Sequence, residues 1–445
     1  MKWSLLVLLI LLPPDLSAGT ELSIDEAIRT GLSKNRSLQI ATLAADAEWA
    51  RASEADAQML PSLSVSGSYN RLSDGAFRLS TTNLPQPIQV GNVVVDNFAV
   101  QVGVRQPLFT GFRLSSLSDA AELTAHAARG DQRMTEQDVI YAVTAAYWSL
   151  YQARKMTELS SGNVRRLEQY RQDAERLGRA GLATRNDILQ IEVQLGRARI
   201  TLLEAETGAR VAEMRLNTTI GLPAATPVTL TSHPGNGDGA AVASTGPVEA
   251  LVDSALGRRP DVLAAGLRLL AAEEMVNAAS GSWWPQLEFS AHYNYSNPNQ
   301  RYQPITPEFL GSWDVGITML FEIWNWGKTG SQVEQAEAMQ KSSALRKTQL
   351  AESIILEVHT SLFSFEQSLQ KIEVSALAVE AARENLRGIS EKYASGLATS
   401  SEIIDAEIDL FSSEVEFSAA RVEYELSVAE LKRAVGEHPE IAEIR

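Results

Sequence analysis

The 445-residue chain contains no cysteine. That excludes disulfides, cysteine-ligated zinc, thiol catalysis and a lipid-modified N-terminal cysteine. It also suits an oxidising compartment, where stray thiols are a liability. No stretch of 18 consecutive apolar residues occurs, so no transmembrane helix is expected. Basic residues are in the minority, 39 Lys and Arg against 55 Asp and Glu, for a formal net charge of −16. Phosphate binding needs clustered Lys and Arg, so nucleic acid is excluded as a partner. The five histidines, His126, His233, His292, His359 and His438, are scattered, and none has a second His at metal-ligand spacing. Neither a phosphate-binding glycine loop nor a nucleophile elbow is present. No enzyme activity, cofactor or metal site is therefore expected.

What is present begins with an export signal. "MKWSLLVLLILLPPDLSAGT" carries Lys2, an unbroken apolar run over Leu5–Leu12, and small residues at Ser17 and Ala18. As a helix that run spans about 12 Å, too short for a bilayer core of about 30 Å. Residues 1–18 are read as a signal peptide.

The rest of the chain is a tandem duplication. "RLGRAGLATRNDILQIEVQL" is answered 215 positions later by "EKYASGLATSSEIIDAEIDL", and Ile188, Glu192, Leu195, Ala205, Leu216 and Gly221 recur as Ile403, Glu407, Leu410, Ala420, Leu431 and Gly436. Further upstream "MLPSLSVSGSYN" is answered by "WWPQLEFSAHYN", and "AVQVGVRQPLFTGF" by "SWDVGITMLFEIWNWG". The expected organisation is a first repeat at 19–221, a linker at 222–246 rich in Pro, Gly, Ser and Thr, a second repeat at 247–437 and a tail at 438–445.

Each repeat reads as helix, strand, long loop, strand, very long helix, tight turn, long helix. Proline is absent from about 114–179 and again from about 329–394, and some 65 residues at 1.5 Å each make a rod of about 100 Å. After the first "GLAT", Ile188, Ile191, Leu195, Ala198, Leu202 and Ala205 alternate spacings of three and four, a coiled-coil seam. A second stripe runs beside it through Leu189, Val193 and Ile200. Two helical hairpins are predicted, about 114–220 and 329–436, with tips at 181–184 and 396–399. Gly181 and Gly396 would end the rods; Thr184 and Thr399 would cap the returning helices, in competition with Asn186 and Ser401.

Four segments, about 62–72, 98–108, 286–296 and 312–322, alternate apolar with polar or small residues. In "FAVQVGV", Phe98, Val100, Val102 and Val104 face away from Ala99, Gln101 and Gly103; in "SWDVGITMLF", Trp313, Val315, Ile317 and Met319 do the same. A half-buried strand in a soluble sheet shows this pattern too, but so does a membrane barrel strand with lipid outside and water inside. Aromatic residues near the strand ends and the length of the helices favour the barrel. Four strands cannot close one, and an open edge in lipid leaves backbone groups without partners. The barrel must be shared: a dimer would supply eight strands, a trimer twelve.

Taken together, the duplicated order, "LPSLSVSGSY" and "WPQLEFSAHY", "QPLFTG" and "FEIWNWG", and "YASGLATSSEIIDAE" resemble the TolC-like outer membrane efflux proteins, over almost the whole length after the signal. The resemblance implies an α+β, mainly α chain that forms a homotrimer. Its twelve-stranded transmembrane β-barrel, four strands per chain, would sit in the outer membrane and continue into a long periplasmic α-helical barrel. It implies an exit duct for a tripartite efflux pump or a type I secretion system, working with a periplasmic adaptor (membrane fusion) protein and an inner-membrane transporter of the RND, ABC or MFS type. Adaptor contact would fall on Gly181, Leu182, Ala183 and Thr184, and on Gly396, Leu397, Ala398 and Thr399. The periplasmic gate would comprise Asp187, Tyr393, Glu402 and Asp405. Ala398 departs from the family, where well-known members carry an arginine that helps lock the gate. The loops at about 73–96 and 297–311 would reach the cell exterior. The competing expectation is an exported periplasmic coiled-coil scaffold with no pore, which would bury the apolar strand face inside protein.

Overall fold

The structure is a computed structural model and describes residues 20–73, 75–79, 88–235 and 247–437. The signal segment 1–18, parts of the linker (236–246) and of the first loop (74 and 80–87), and the tail with His438 lie outside the described residues. In chain order the elements are β1 (Thr20–Leu22), α1 (Ile24–Lys34), α2 (Arg36–Ala57), β2 (Ser62–Arg71), β3 (Ala76–Leu79), β4 (Ile88–Asn92), β5 (Asp96–Phe109), α3 (Arg113–Arg179), α4 (Arg185–Thr219), β6 (Val228–Leu230), α5 (Val248–Arg258), α6 (Pro260–Ser280), β7 (Gln286–Asn297), β8 (Leu310–Leu320), α7 (Lys328–Ala394) and α8 (Ser400–Val435). The chain is mainly helical with one antiparallel sheet of four strands. It divides into two units, one of 44–129 with 264–348 and one made of the remaining segments. Each unit takes matching pieces from both repeats.

The first unit holds the sheet, in the order β2-β5-β7-β8, every pair antiparallel. Period-two alternation puts apolar residues in continuous rows across it. Val65 pairs with Val102, Val102 with Tyr293 and Tyr293 with Trp313; the next row is Leu63, Val104, Ala291 and Val315. These rows are bare: Leu63 is 72% and Trp313 71% exposed. The opposite face is polar. Ser64, Gly103, His292 and Asp314 form one row, and His292 Nδ1 lies 3.1 Å from Asp314. A Cβ on Gly103 would fall 2.9 Å from the His292 ring, so that row needs glycine beside the imidazole. Arg105 pairs with Glu288 at 3.0 Å and Arg301 with Asp314 at 2.8 Å. The loop between β2 and β5 contains a further hairpin, β3 with β4.

The pairing also fixes the repeat's equivalences. Ser62 pairs with Arg105, and Gln286 with Leu320. Ser62 and Gln286 occupy the same place in their repeats, which makes Leu320 the counterpart of Arg105, 215 positions on. The two Val-Gly pairs at 102–103 and 315–316 suggest 213. The helical offset therefore extends through the second strand. It also unites the joints that follow, where Gly111 and Phe112 in one repeat, and Trp326 and Gly327 in the other, adopt left-handed backbone in succession.

In the second unit, α1 opens on a capping box in which Ser23 and Glu26 satisfy each other's backbone N–H groups. Two cores recur under the duplication. Ala27, Val139, Val143, Leu216 and Ile220 are buried together in one, and Leu251, Ile354, Val358, Leu431 and Val435 in the other. The same joint closes both: Asn35 Nδ2 donates to the Thr219 carbonyl at 2.8 Å, and Arg259 Nη1 donates to that of Ala434 at 3.2 Å. Gly221 and Gly436, both left-handed, turn the chain out of α4 and α8. At Gly221 a Cβ would meet the Lys34 carbonyl oxygen at 2.6 Å.

Gly221→Ala combines that clash with a strained φ and is expected to destabilise the protein by about 2 kcal/mol or more. Gly257→Ala, in α5 with nothing within 4 Å of the new methyl, is expected to stabilise by about 0.5–1 kcal/mol. Denaturant titrations followed by helical circular dichroism would measure both.

Candidate functional site at the helical tips

The long helices end by the same device in both hairpins. Gly181 and Gly396 are left-handed, with φ of 75° and 70°. Leu182 N–H donates back to the Leu177 carbonyl at 2.9 Å, and Leu397 N–H to that of Lys392 at 2.8 Å, the hydrogen bonds of a Schellman cap. Such caps usually tuck the residue after the glycine against the helix. Here Leu182 is 66% and Leu397 80% exposed, so capping does not account for a leucine at either tip.

The returning helices start on capping boxes. Thr184 accepts from Asp187 N–H while Asp187 accepts from Thr184 N–H at 2.8 Å; Thr399 and Glu402 do the same, at 2.7 Å for the Thr399 N–H. The caps are thus the threonines and not Asn186 or Ser401. Asp187 and Glu402 occupy equivalent positions. Hydrogen bonds from the capping threonine hold both carboxyls below the usual carboxylate range: for Asp187 the side-chain bond is the larger cause, for Glu402 the backbone bond. Both acids therefore stay ionised at neutral pH while engaged in capping. Asp405 is exposed, one turn further on, in a shallow groove with Asn186, Leu189, Gln190 and Val193. Ala398 packs at the edge of the core behind the tip.

Tyr393 lies inside that core, 3% exposed, with its ring edge-on to Tyr170 at 6.4 Å. Burial, the largest cause, raises the pKa of its hydroxyl, while Ser400 beside it acts in the opposite direction. Beside it is a cluster that sequence reasoning missed. Glu407 on α8 is 1% exposed; it accepts from Arg166 Nε on α3 at 2.5 Å, with the Tyr170 hydroxyl at 3.5 Å. Burial pushes the Glu407 carboxyl up in spite of the arginine, and burial followed by Glu407 pushes Tyr170 up to about 12. A signal did exist, because Glu407 falls between the two apolar stripes of α8, where a carboxylate needs a partner. Within each hairpin one further ion pair recurs with its signs exchanged: Glu168 with Arg199 at 2.8 Å, and Arg383 with Glu414 at 3.2 Å.

Among the described residues no group of three or more His, Cys, Asp or Glu could hold a metal ion, and no helix is long and apolar enough to cross a membrane. The profile of the outer membrane efflux protein family matches residues 27–222 and 251–437, one match per repeat.

The chain belongs to the outer membrane efflux protein family.

Its relatives include the outer membrane efflux protein BepC of Brucella suis, 25% identical over 71% of this chain and 67% of that one. The outer membrane protein TolC of Vibrio cholerae is 24% identical over 91% and 88%. The probable efflux pump protein TtgC of Pseudomonas putida is 22% identical over 93% and 83%. Among solved structures, the outer-membrane channel OprN superposes with a TM-score of 0.79 at 18% identity, covering 93% of this chain and 90% of that one. The Campylobacter jejuni CmeC channel gives 0.79 at 14% identity, over 93% and 85%. As a member of this family the chain is an outer membrane efflux channel and not an enzyme.

Thr184→Ala and Thr399→Ala should each speed amide exchange in the first turn of the helix they cap, by about fivefold. The pH dependence has a definite sign. Glu402 is depressed below its ordinary 4.5 and Asp187 below 3.8, so their contribution is complete above those values and is lost as pH falls through the lower folded ones. Exchange at the tips, corrected for the intrinsic rate, should stay constant from pH 8 to about 5 and rise only below the carboxylate range. A rise beginning near pH 6 would contradict the capping assignment.

Proposed function

We propose that three copies of this chain form an exit duct for a tripartite efflux pump or type I secretion system, carrying small molecules or proteins out of the cell. Relatives in Pseudomonas putida are named for antibiotic and toluene efflux, which favours small molecules. The supporting observation is the sheet: four strands, an exposed apolar face, a polar face, and two edges, β2 and β8, that no strand among the described residues covers. Lipid tolerates no such edge, and the remedy is β8 of one copy beside β2 of the next. Three copies give a twelve-stranded barrel in the outer membrane, with the polar rows lining water and the loops at 73–96 and 297–311 outside.

In this reading the helical hairpins form a hollow periplasmic barrel whose six near-equivalent tips meet the adaptor through Gly181–Thr184 and Gly396–Thr399. The exposed Leu182 and Leu397 are its apolar anchors. An RND, ABC or MFS transporter supplies the driving force upstream. Asp187, Glu402 and Asp405 set a negative field at the entrance, and Tyr393 packs behind it.

The decisive experiment is the detergent-corrected mass of the protein from the outer membrane, with conductance in planar bilayers. Three chains and a conducting pore are expected; a monomer that remains soluble without detergent would replace the duct by a scaffold.

In this reading the register between copies follows the repeat. Gly103 pairs with His292 inside the chain, and their counterparts are Thr318 and Ser68. Ser68→Cys with Thr318→Cys should cross-link neighbouring copies efficiently. Ser66→Cys with Thr318→Cys, the two-residue slip, should not.

Charge at the entrance is separable from capping, because Gln serves in a capping box as Glu does. Glu402→Gln with Asp405→Asn should therefore keep the tip folded and weaken cation preference severalfold, read from reversal potentials. Unchanged selectivity would remove both residues from the gate.

A further inference from the structure

The segment joining β7 to β8, residues 298–309, turns back over the polar face of the sheet instead of projecting beyond it. Asn299 is 3% exposed, unusual for a loop residue. Its Nδ2 donates to the Leu310 carbonyl at 2.9 Å and to Ser312 Oγ at 3.1 Å, and its Oδ1 accepts from Arg301 N–H at 3.0 Å. The Arg301 guanidinium donates to the Trp313 carbonyl at 2.7 Å and to Asp314 at 2.8 Å. Asp314 stands four positions inside β8, about 13 Å along the strand from its outer end at the usual rise of about 3.3 Å per residue. Asn299 and Arg301 wall one side of a cavity of about 640 Å³, opposite Ser68, Asn70, Asn97 and Asn294 on the polar ends of β2, β5 and β7. The other end of the segment is fixed on the apolar face, where Phe309 stacks on Tyr295 at 5.3 Å. The Tyr302 hydroxyl donates to the Gly311 carbonyl at 2.9 Å. Prolines at 298, 304 and 307 fix φ at three positions of the segment.

We propose that this segment is a strap across the outer mouth of the duct, tied down by Asn299 on β8 and by Arg301 on Asp314, and that it limits the cargo to small molecules. The inference rests on the three-copy duct proposed above and narrows what that duct carries.

In a barrel whose polar face lines water, whatever covers that face occupies the lumen. Three copies therefore bring three straps around one exit. The ties are strong enough to set a resting position. Asn299 is shielded from water, and Arg301 makes charge-assisted bonds to a carboxylate that also lies 3.1 Å from His292. They are weak enough to break, because Arg301 and Asp314 remain partly exposed and water competes for both. A small solute passes between the straps without disturbing them. A bulky one must pull each strap off β8, and the cost is repeated in every copy. The arginine is matched by its aspartate, so the strap sorts by size more than by charge.

The test uses the absence of native cysteine, so that one engineered thiol reports only on itself. Ser290→Cys places it on the polar face of β7, one row further from the strap than His292 and Asp314. Three-chain particles are confirmed by mass. Cells carrying them are then treated from outside with two maleimides that cannot cross the membrane, one small and one bearing a long polyethylene glycol chain. The small reagent should label the thiol, and the polymer-bearing one should label it about tenfold more slowly. Asn299→Ala with Arg301→Ala should raise the polymer's rate about tenfold and leave the small reagent's rate unchanged, as the loss of several partly exposed ties predicts. Arg301→Lys alone keeps a cation against Asp314 and should retain the exclusion. Equal labelling by both reagents with the strap intact would overturn the strap while leaving the duct in place. So would exclusion that survives the loss of both ties. Labelling by neither reagent until the cells are broken would overturn the duct reading itself.

Discussion

The backbone hydrogen bonds that β2 and β8 leave unmade constrain everything else in this protein. An amide without a partner is tolerable in water and not in lipid. In the proposed duct, a chain whose sheet shows its apolar rows outward and stops at two open edges is completed by copies of itself. The same sheet carries a charged polar face, with His292, Asp314, Arg301, Arg105 and Glu288 joined in pairs, which suits a water-filled interior and no packed core.

Duplication lets one short design serve twice. The cores around Val143 and Val358, the joints at Gly221 and Gly436, the caps at Gly181 and Gly396 and the boxes at Thr184 and Thr399 are each built from equivalent residues. Departures from equivalence are therefore informative. Asn35 and Arg259 do the same work with different side chains, and the pairs Glu168–Arg199 and Arg383–Glu414 exchange their signs. Arg166 and Tyr170 have no such substitutes: Ala381 and Asn385 stand at the equivalent positions.

Charge at the tips has two uses that pull on the same residues. Asp187 and Glu402 complete capping boxes at helix N-termini, where a carboxylate also complements the helix dipole. Their depressed pKa values keep them ionised at the mouth of the proposed duct. Glu407 is the opposite case, a carboxylate that burial makes reluctant to ionise and that one arginine holds in place. Buried pairs of this kind add little net stability, yet losing either partner is expensive, so they specify an arrangement more than they strengthen it.

The sequence by itself determined what depends on near neighbours along the chain. Spacings of three and four marked the long helices, period-two alternation marked the four strands of the sheet, and the repeated Gly-Leu-Ala-Thr marked both tips. Each of these is a local rule of backbone geometry, and the resemblance they carried led to the right family. Tertiary structure decided what depends on distant partners. The Val-Gly pairs at 102–103 and 315–316 invite an offset of 213, but hydrogen bonds across β2–β5 and β7–β8 set it at 215. Glu192 and Glu407 are the same letter in the same repeat; only the arrival of Arg166, 241 residues away from Glu407, makes one a buried partner and leaves the other exposed. Periodicity records which face of an element is apolar, and it carries no information about which distant element covers that face.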